Sequence, residues 1–524
     1  MKKLTDNRTV FSVLLIILIT VGILVRIQKW SNFDKFAGDQ GFQLLSAEHM
    51  ISYSIFPENG EISALDQNNK FIFHKSSLGL YMSAIAYLLG QKSPEGYFFV
   101  YLCLNLISAW LLYLTASSVF SRKAGILVLL FAIFSPLSIE LSAWPSQPSN
   151  AIFLETISLF LLSKYLQHKN NKDLLFSLLL SQAAFVIYPP HLLIVLPKFI
   201  LIMCVYNQEI LSRKFLITLG ILSGLIYFPS LYSQFHHNFY DVKLIFQFVT
   251  QLQNSSTAFS INNIFSTLHQ QVVNVISGVL LQKINTVTTQ PYVLLLTAIL
   301  FIAYIKKNSN NRKYVINSIF SLWFFSIFVI AYIYSAESAT NTSKAYLTTL
   351  LPYTLLLFGV IFSILNKRSL LFITAIYLLF FVPAALKSKL FYNKLPTISA
   401  ISSITSKIYK YQESNFPDNS ISIFVVSAGD SWGWDNTVYW YNLEKLFNKQ
   451  LAEVDFYSGK FRPIDTNAKQ SIYLICHGIN KRFSQEVCVQ RFEAVATATF
   501  GYQLQPIVTF AEPNIVSFSM DTIQ

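Results

Sequence analysis

Apolar residues are gathered into long runs, separated by short connectors and by two longer polar blocks. Eleven of these runs reach or approach the length of about 20 apolar residues that a helix needs to cross a bilayer. The pattern therefore predicts a polytopic α-helical membrane protein with about 11 transmembrane helices. The runs are residues 10–26, 97–119, 124–143, 149–166, 174–189, 191–206, 215–231, 291–305, 314–334, 344–365 and 370–386.

Lysine and arginine are concentrated in alternate connectors, and such connectors face the cytoplasm in membrane proteins. This bias predicts an integral plasma (inner) membrane protein with a cytoplasmic amino terminus. Because the number of runs is odd, the carboxyl terminus is predicted to lie outside. The basic connectors contain Lys2, Lys3 and Arg8; Arg122 and Lys123; Lys164, Lys169 and Lys172; Arg213 and Lys214; Lys306, Lys307, Arg312 and Lys313; and Lys367 and Arg368.

The first run has an alternative interpretation as a cleaved signal peptide, since it also follows a charged start. No clear cleavage site with small residues follows Gly22, and the run ends at Arg26 and Lys29. An uncleaved first helix is the favoured interpretation.

Composition agrees with membrane residence, since 53% of the 524 residues are hydrophobic and 12% are charged. An ordinary soluble domain has about 25% charged residues. The formal net charge of +13 can indicate contact with nucleic acid or with anionic lipid. The basic residues are spread over connectors and form no single basic face, so the lipid bilayer is an expected partner and nucleic acid is not.

Two outer loops and a tail hold most of the polar residues. We predict a transmembrane domain over residues 1–389, with outer loops at 27–96 and 232–290, and an extracytoplasmic soluble domain over residues 390–524. In the first loop, apolar spacing predicts a helix on the membrane surface from Gln40 to Tyr53.

The tail differs from the rest of the chain in its pattern of apolar and polar residues. Ile421–Ser427 and Ser471–Cys476 have the pattern of buried strands, and Thr437–Phe447 has that of a helix. This mixture predicts a small α/β domain. Cys476 and Cys488 are twelve positions apart in this tail, so an oxidising compartment would allow them to form a disulfide.

Candidate chemistry lies in the segments predicted to be outside. Asp39 follows Gly38 and precedes Gln40 just beyond the first run, and a carboxylate there can act as a general base. The other segments are His74-Lys75-Ser76-Ser77-Leu78-Gly79, the pair His236 and His237 after Tyr227-Phe228-Pro229, and Lys344-Ala345-Tyr346-Leu347 with Pro352.

These segments, in this order, resemble the GT-C superfamily of membrane glycosyltransferases, which use sugars linked to polyprenyl or dolichyl phosphates. The pattern is most similar to protein O-mannosyltransferases and lipid A aminoarabinose transferases. The resemblance implies that Asp39 is the catalytic base, and that Lys75, His236, His237 and Lys344 bind the donor phosphate. It also makes Gln40, His74 and Tyr346 active-site candidates.

Gln40 stands where the family commonly has a second acid, and the family's prolines are missing after Lys75. By the resemblance a divalent metal is the candidate cofactor, with its identity unassigned. The partners implied are a polyprenyl-phosphate sugar donor and an extracytoplasmic acceptor, which is a glycan, a lipid or a protein.

Each candidate also has a simpler interpretation: a helix cap for Asp39, solvated histidines, and lysines that anchor the chain at the membrane interface. The predicted function is a glycosyltransferase that inverts the anomeric configuration in a single displacement. The alternatives are a polymerase or ligase of lipid-linked oligosaccharides and a transporter or flippase, for which Glu140 and Glu155 are the acids best placed.

Overall fold

The computed structural model describes residues 16–27, 38–64, 72–142, 144–205, 212–254, 348–363, 365, 397–427, 436–454, 461–464, 470–477, 484–500, 504–512 and 515–522. The chain divides into two compact units. The first contains Met1–Lys29, Ser63–Gly79 and Tyr101–Ser388. The second contains Trp30–Ile62, Leu80–Val100 and Lys389–Gln524.

Helices dominate the described part of the chain. In order they are α1 (Ile16–Ile27), α2 (Gly38–Ser52), α3 (Leu78–Leu89), α4 (Pro94–Val119), α5 (Arg122–Phe134), α6 (Pro136–Ser142), α7 (Gln147–His168), α8 (Asn171–Ile187), α9 (Leu192–Val205), α10 (Arg213–His236), α11 (Tyr240–Asn254), α12 (Leu351–Phe362), α13 (Ile398–Asn415), α14 (Thr437–Phe447) and α15 (Gln485–Phe500). A 3₁₀ turn, Pro189–His191, connects α8 to α9.

The strands are short and most lie in the second unit. They are β1 (Asn59–Ala64), β2 (Ile72–Ser76), β3 (Ser420–Ser427), β4 (Ala452–Val454), β5 (Phe461–Pro463), β6 (Gln470–His477), β7 (Leu504–Glu512) and β8 (Ile515–Thr522).

Two of the described helices, α4 and α10, are long and apolar enough to cross a membrane by themselves. Length and composition alone are weak grounds for a span, and shorter apolar helices occur at Ile16–Ile27, Leu78–Leu89 and Thr348–Phe362. The predicted runs 291–305, 314–334 and 370–386 lie outside the described residues. The predicted number of spans therefore stays a prediction.

The predicted run 124–143 is divided into two helices, α5 and α6. Proline lacks a backbone N–H and disfavours helical geometry in the residue before it, so Pro136 ends the first helix at Ser135. The other end of α5 is set by Ser121, whose side chain accepts a hydrogen bond from the backbone N–H of Ala124.

Helix α1 is integrated into the first unit through Arg26, which is fully buried. Its guanidinium donates to the side-chain oxygen of Asn105 at 2.9 Å and to the backbone carbonyl of Ile133 at 2.9 Å. Buried arginine is stabilised only where such acceptors compensate its lost hydration. The interpretation of the first run as an uncleaved helix stays a prediction.

The apolar core of the first unit contains α5 packed against α12. Phe131 lies 5.6 Å from Phe362 and 6.5 Å from Phe358 between ring centroids. The two helices approach closely at Gly359, where an added Cβ would lie 2.8 Å from the backbone nitrogen of Val128. Small residues permit such close approach between membrane helices.

We predict that Gly359→Ala lowers the stability of the protein by about 1–3 kcal/mol, because its methyl group would force the α5 backbone to move. The apparent melting temperature of purified protein measures the effect. Gly220→Ala in α10 is the matched control, since an added Cβ there meets no described atom within 4 Å. Equal melting temperatures for the two variants would show that the close contact is unimportant.

The second unit contains a four-stranded sheet in the order β3-β6-β8-β7. Strands β3 and β6 are parallel, whereas β6–β8 and β7–β8 are antiparallel. Strands β3 and β6 and helix α14 lie where the sequence predicts them, because their apolar patterns correspond to buried faces of this unit. Cys476 in β6 and Cys488 in α15 form a disulfide with their Cα atoms 6.0 Å apart.

Helix α2 lies within the second unit against α14. The predicted division into a transmembrane domain over residues 1–389 and a soluble domain over residues 390–524 stays a prediction. Residues 40–50 are all buried, so this part of α2 lacks the exposed polar face expected of a helix on a membrane surface. Gly41 allows the contact, since an added Cβ there would lie 2.8 Å from the backbone nitrogen of Val438.

Candidate functional site

His74 and Asp241 form the centre of a polar site in the first unit. Both residues are buried. The backbone N–H and the ring Nδ1 of His74 each lie 2.9 Å from Oδ1 of Asp241. A carboxylate accepts hydrogen bonds, so this contact places the ring proton on Nδ1 and fixes the orientation of the imidazole. Such a fixed imidazole is suited to proton transfer, to anion contact or to metal binding.

The chain reverses direction to bring Asp241 to this place. Helix α10 ends at His236, and Asn238 and Phe239 both have positive φ, of 55° and 56°. Helix α11 then begins at Tyr240, with Asp241 in its first turn. Gln234 near the end of α10 donates to Oδ2 of Asp241, so both carboxylate oxygens are held.

The other predicted residues of the first unit lie on the same elements. Lys75 is half-buried and adjoins His74 on β2, which contacts both α10 and α11. His236 is exposed and His237 half-buried, and their ring centroids are 4.8 Å apart. The structure thus brings the predicted basic residues of two distant loops into one unit, together with an acid that the sequence reasoning missed.

Asp39 and Gln40 belong to the second unit. Asp39 lies in the first turn of α2 and is half-buried, and Gln40 is buried. The positive end of the helix dipole favours an ionised carboxylate at this position. Lys344 and Tyr346 lie outside the described residues, so their predicted roles stay predictions.

The second unit also holds a buried polar network around Glu48. Its carboxylate accepts from Lys445 at 2.8 Å, from the Tyr87 hydroxyl at 2.8 Å and from Ser52. Burial alone would raise the pKa of Glu48, but these hydrogen bonds and the charge of Lys445 outweigh it and lower the pKa below its ordinary value. The next residue, His49, lies 2.8 Å from Glu444. Sequence reasoning missed these pairs, which join α2 to α14.

His477 ends strand β6 and lies beside the hydroxyl of Tyr439. Burial lowers its pKa to about 3, because the charged imidazolium is disfavoured away from water. The ring is therefore neutral at physiological pH. A neutral buried histidine in the core of the sheet is a packing element, and we assign it no chemistry.

Glu155 forms a third polar cluster, within the helices of the first unit. It is fully buried and lies 3.0 Å from Lys198 and 3.2 Å from His191, and it accepts from the hydroxyls of Ser181 and Tyr353. These partners compensate the charge of the buried carboxylate, as a buried charge requires.

Comparison with known proteins identifies the architecture. The family model described as dolichyl-phosphate-mannose-protein mannosyltransferase matches residues 74–232. The crystal structure of apo ArnT from Cupriavidus metallidurans superposes with a TM-score of 0.56 at 11% identity, covering 99% of this chain and 98% of that one. The chain has the GT-C glycosyltransferase fold.

A second GT-C structure, ArnT from C. metallidurans bound to undecaprenyl phosphate, gives a TM-score of 0.52 at 10% identity and covers 96% of this chain and 97% of that chain. The archaeal oligosaccharyltransferase of Archaeoglobus fulgidus matches more weakly, with a TM-score of 0.46 at 11% identity over 83% of this chain and 64% of that chain. No curated protein matches in sequence.

The resemblance to the GT-C superfamily predicted from the sequence is therefore confirmed at the level of the fold. The matched segment includes His74 and Lys75, but Asp39, His236 and His237 lie outside it. The roles of all these residues are proposals.

Proposed function

We propose that this GT-C protein transfers a sugar from a polyprenyl-phosphate donor to an extracytoplasmic acceptor. The observation that supports this most directly is the contact between His74 and the carboxylate of Asp241, on a strand that also carries Lys75 and contacts α10, the helix that ends at His236. Basic side chains of this kind suit a lipid-linked phosphate. A relative in fold, ArnT, has been solved with undecaprenyl phosphate bound.

The phosphate is the leaving group, so stabilising its charge is the main task of the basic residues. Lys75 neutralises it as a point charge, as does Lys344 on the family pattern. His236 and His237 contribute hydrogen bonds. Asp241 acts through His74, since it holds the ring in one orientation, and is therefore a positioning residue.

Asp39 is the proposed general base. It accepts the proton of the acceptor hydroxyl or amine while that atom forms its bond to the anomeric carbon. In the same step the bond between the anomeric carbon and the phosphate oxygen breaks, and the electron pair leaves on the phosphate. A single displacement of this kind inverts the anomeric configuration. This assignment rests on the family motif after the first span.

A divalent metal is the candidate cofactor. Within the first unit, the imidazoles of His236 and His237 are donors of a type that zinc accepts. When bound, the metal would supply positive charge to the departing phosphate.

The orientation of the chain is also a proposal. Basic connectors favour a cytoplasmic amino terminus, which places the loops 27–96 and 232–290 and the tail outside. The disulfide between Cys476 and Cys488 supports this, since disulfides persist in oxidising compartments.

The proposed function predicts a defined change in cell-envelope chemistry when the protein is lost. Mass spectrometry of envelope lipids and glycans should show one glycosyl unit missing and one polyprenyl-phosphate monosaccharide accumulating. Restoring the gene provides the control. Accumulation of a lipid-linked oligosaccharide would favour the ligase, and no change in either fraction would contradict glycosyl transfer.

A further inference from the structure

The start of helix α7 carries buried amide groups that lack hydrogen-bond partners among the described residues. Gln147 and Asn150 are each 1% exposed. Neither amide atom of Gln147 has a partner, nor has Nδ2 of Asn150, although Oδ1 of Asn150 accepts from the Tyr101 hydroxyl at 2.8 Å. Buried polar groups in folded proteins nearly always have partners. Gln147 and Asn150 are one turn apart, so the amide atoms that lack partners lie on one face of the helix.

A third such group lies where β2 leads into α3. Ser77 is fully buried, and its hydroxyl has no partner in the described part of the chain. Two residues further on, Gly79 lies against Gln147, since an added Cβ there would be 3.6 Å from Nε2. The side chain of Ser146, the N-cap residue of α7, makes no capping hydrogen bond. Polar groups at the starts of α3 and α7 thus lie in one region of the first unit.

The chemistry of these groups selects a class of ligand. Gln147 and Ser77 can both donate and accept, whereas the Asn150 nitrogen donates. A phosphate only accepts, so it would leave the Gln147 oxygen unsatisfied, and the three side chains carry no charge to hold a metal ion. Sugar hydroxyls both donate and accept, which meets every unsatisfied atom.

We propose that Ser77, Gln147 and Asn150 form a subsite that binds the hydroxyl groups of the donor sugar. The inference rests on the proposed function, in which Lys75 contacts the donor phosphate. Ser77 follows Lys75 by two residues, about 7 Å of extended chain. A sugar attached to that phosphate would therefore extend toward Ser77 and the start of α7.

The test compares lipids with and without a sugar on purified full-length protein. Affinities are measured for bare undecaprenyl phosphate and for undecaprenyl phosphate carrying glucose, mannose, galactose or aminoarabinose. Wild-type protein should bind one glycosylated lipid more tightly than the bare lipid. Gln147→Met and Asn150→Leu keep the side-chain shape without the amide. Each substitution should lower the affinity for the glycosylated lipid about ten- to hundredfold and leave the affinity for the bare lipid unchanged.

Gln182→Met in α8 is the matched control and should change neither affinity. If a variant lost affinity for both lipids equally, the amides would have a structural role and the proposed subsite would be wrong. Variants that retain the full preference for the glycosylated lipid would also contradict it. If Gln147→Met does not fold, Ser77→Ala provides the same comparison. Wild-type protein that binds none of the lipids would instead contradict the proposed function itself.

Discussion

Asp39→Asn is expected to lower the rate of glycosyl transfer by about 10²- to 10⁴-fold, the usual contribution of a general base. Asparagine keeps the size of the side chain, but it cannot take the proton of the acceptor. The N-terminal position in α2 favours the ionised form of aspartate, which is the form that acts as a base. The turnover rate at saturating donor is the quantity to measure, with protein abundance matched.

A second variant separates the chemical step from donor binding. Lys75→Met should act mainly on the affinity for the lipid-linked donor, because its proposed partner is the phosphate. Losing one charge-assisted hydrogen bond of about 1.5–3 kcal/mol corresponds to roughly a ten- to hundredfold change. Asp39→Asn should leave donor affinity near its wild-type value.

Asp418→Asn is the matched control for Asp39, since Asp418 is an exposed aspartate of the same unit. It should change neither rate nor affinity. Full activity of Asp39→Asn would rule out the base assignment and leave Asp39 as a helix cap. A decrease in melting temperature that parallels the loss of activity would also indicate a structural role for Asp39.

The sequence predicts local elements of this fold well and their partners poorly. Strands β3 and β6 and helix α14 could be found because each has a continuous or periodic apolar pattern. Pro136 was visible as well, but its effect on run 124–143 depends on whether neighbouring helices accommodate a kink. The burial of α2 on all sides could not be predicted from the sequence, since its partner α14 lies about 400 positions away in the chain.

The candidate site shows the same difference between local motifs, which the sequence predicts, and contacts between distant residues, which it does not. Short motifs such as His74-Lys75 and His236-His237 could be recognised because one family pattern contains them. Asp241 was missed because its partner His74 lies 167 positions away in the chain. The Glu48–Lys445 pair had no local signal at all, because neither residue is unusual in its own segment.

The buried pair of Glu155 and Lys198 leads to the other large prediction. Lys198→Met should lower the stability of the protein by about 3–5 kcal/mol, because it leaves an uncompensated carboxylate in the interior. Glu155→Gln should also destabilise, by leaving the ammonium of Lys198 buried without its partner at 3.0 Å. The double variant should recover most of the loss, since no unpaired charge remains.

Melting temperatures of the two single variants and the double variant form a complete cycle, and Lys172→Met supplies an exposed lysine of the same unit as control. If Glu155 instead moved protons or cargo, Glu155→Gln would abolish activity at an unchanged melting temperature. The hydroxyls of Ser181 and Tyr353 and the ring of His191 already surround the carboxylate. A partner set this complete stabilises one arrangement of the helices, so the expected loss is of stability first and of activity only as a consequence.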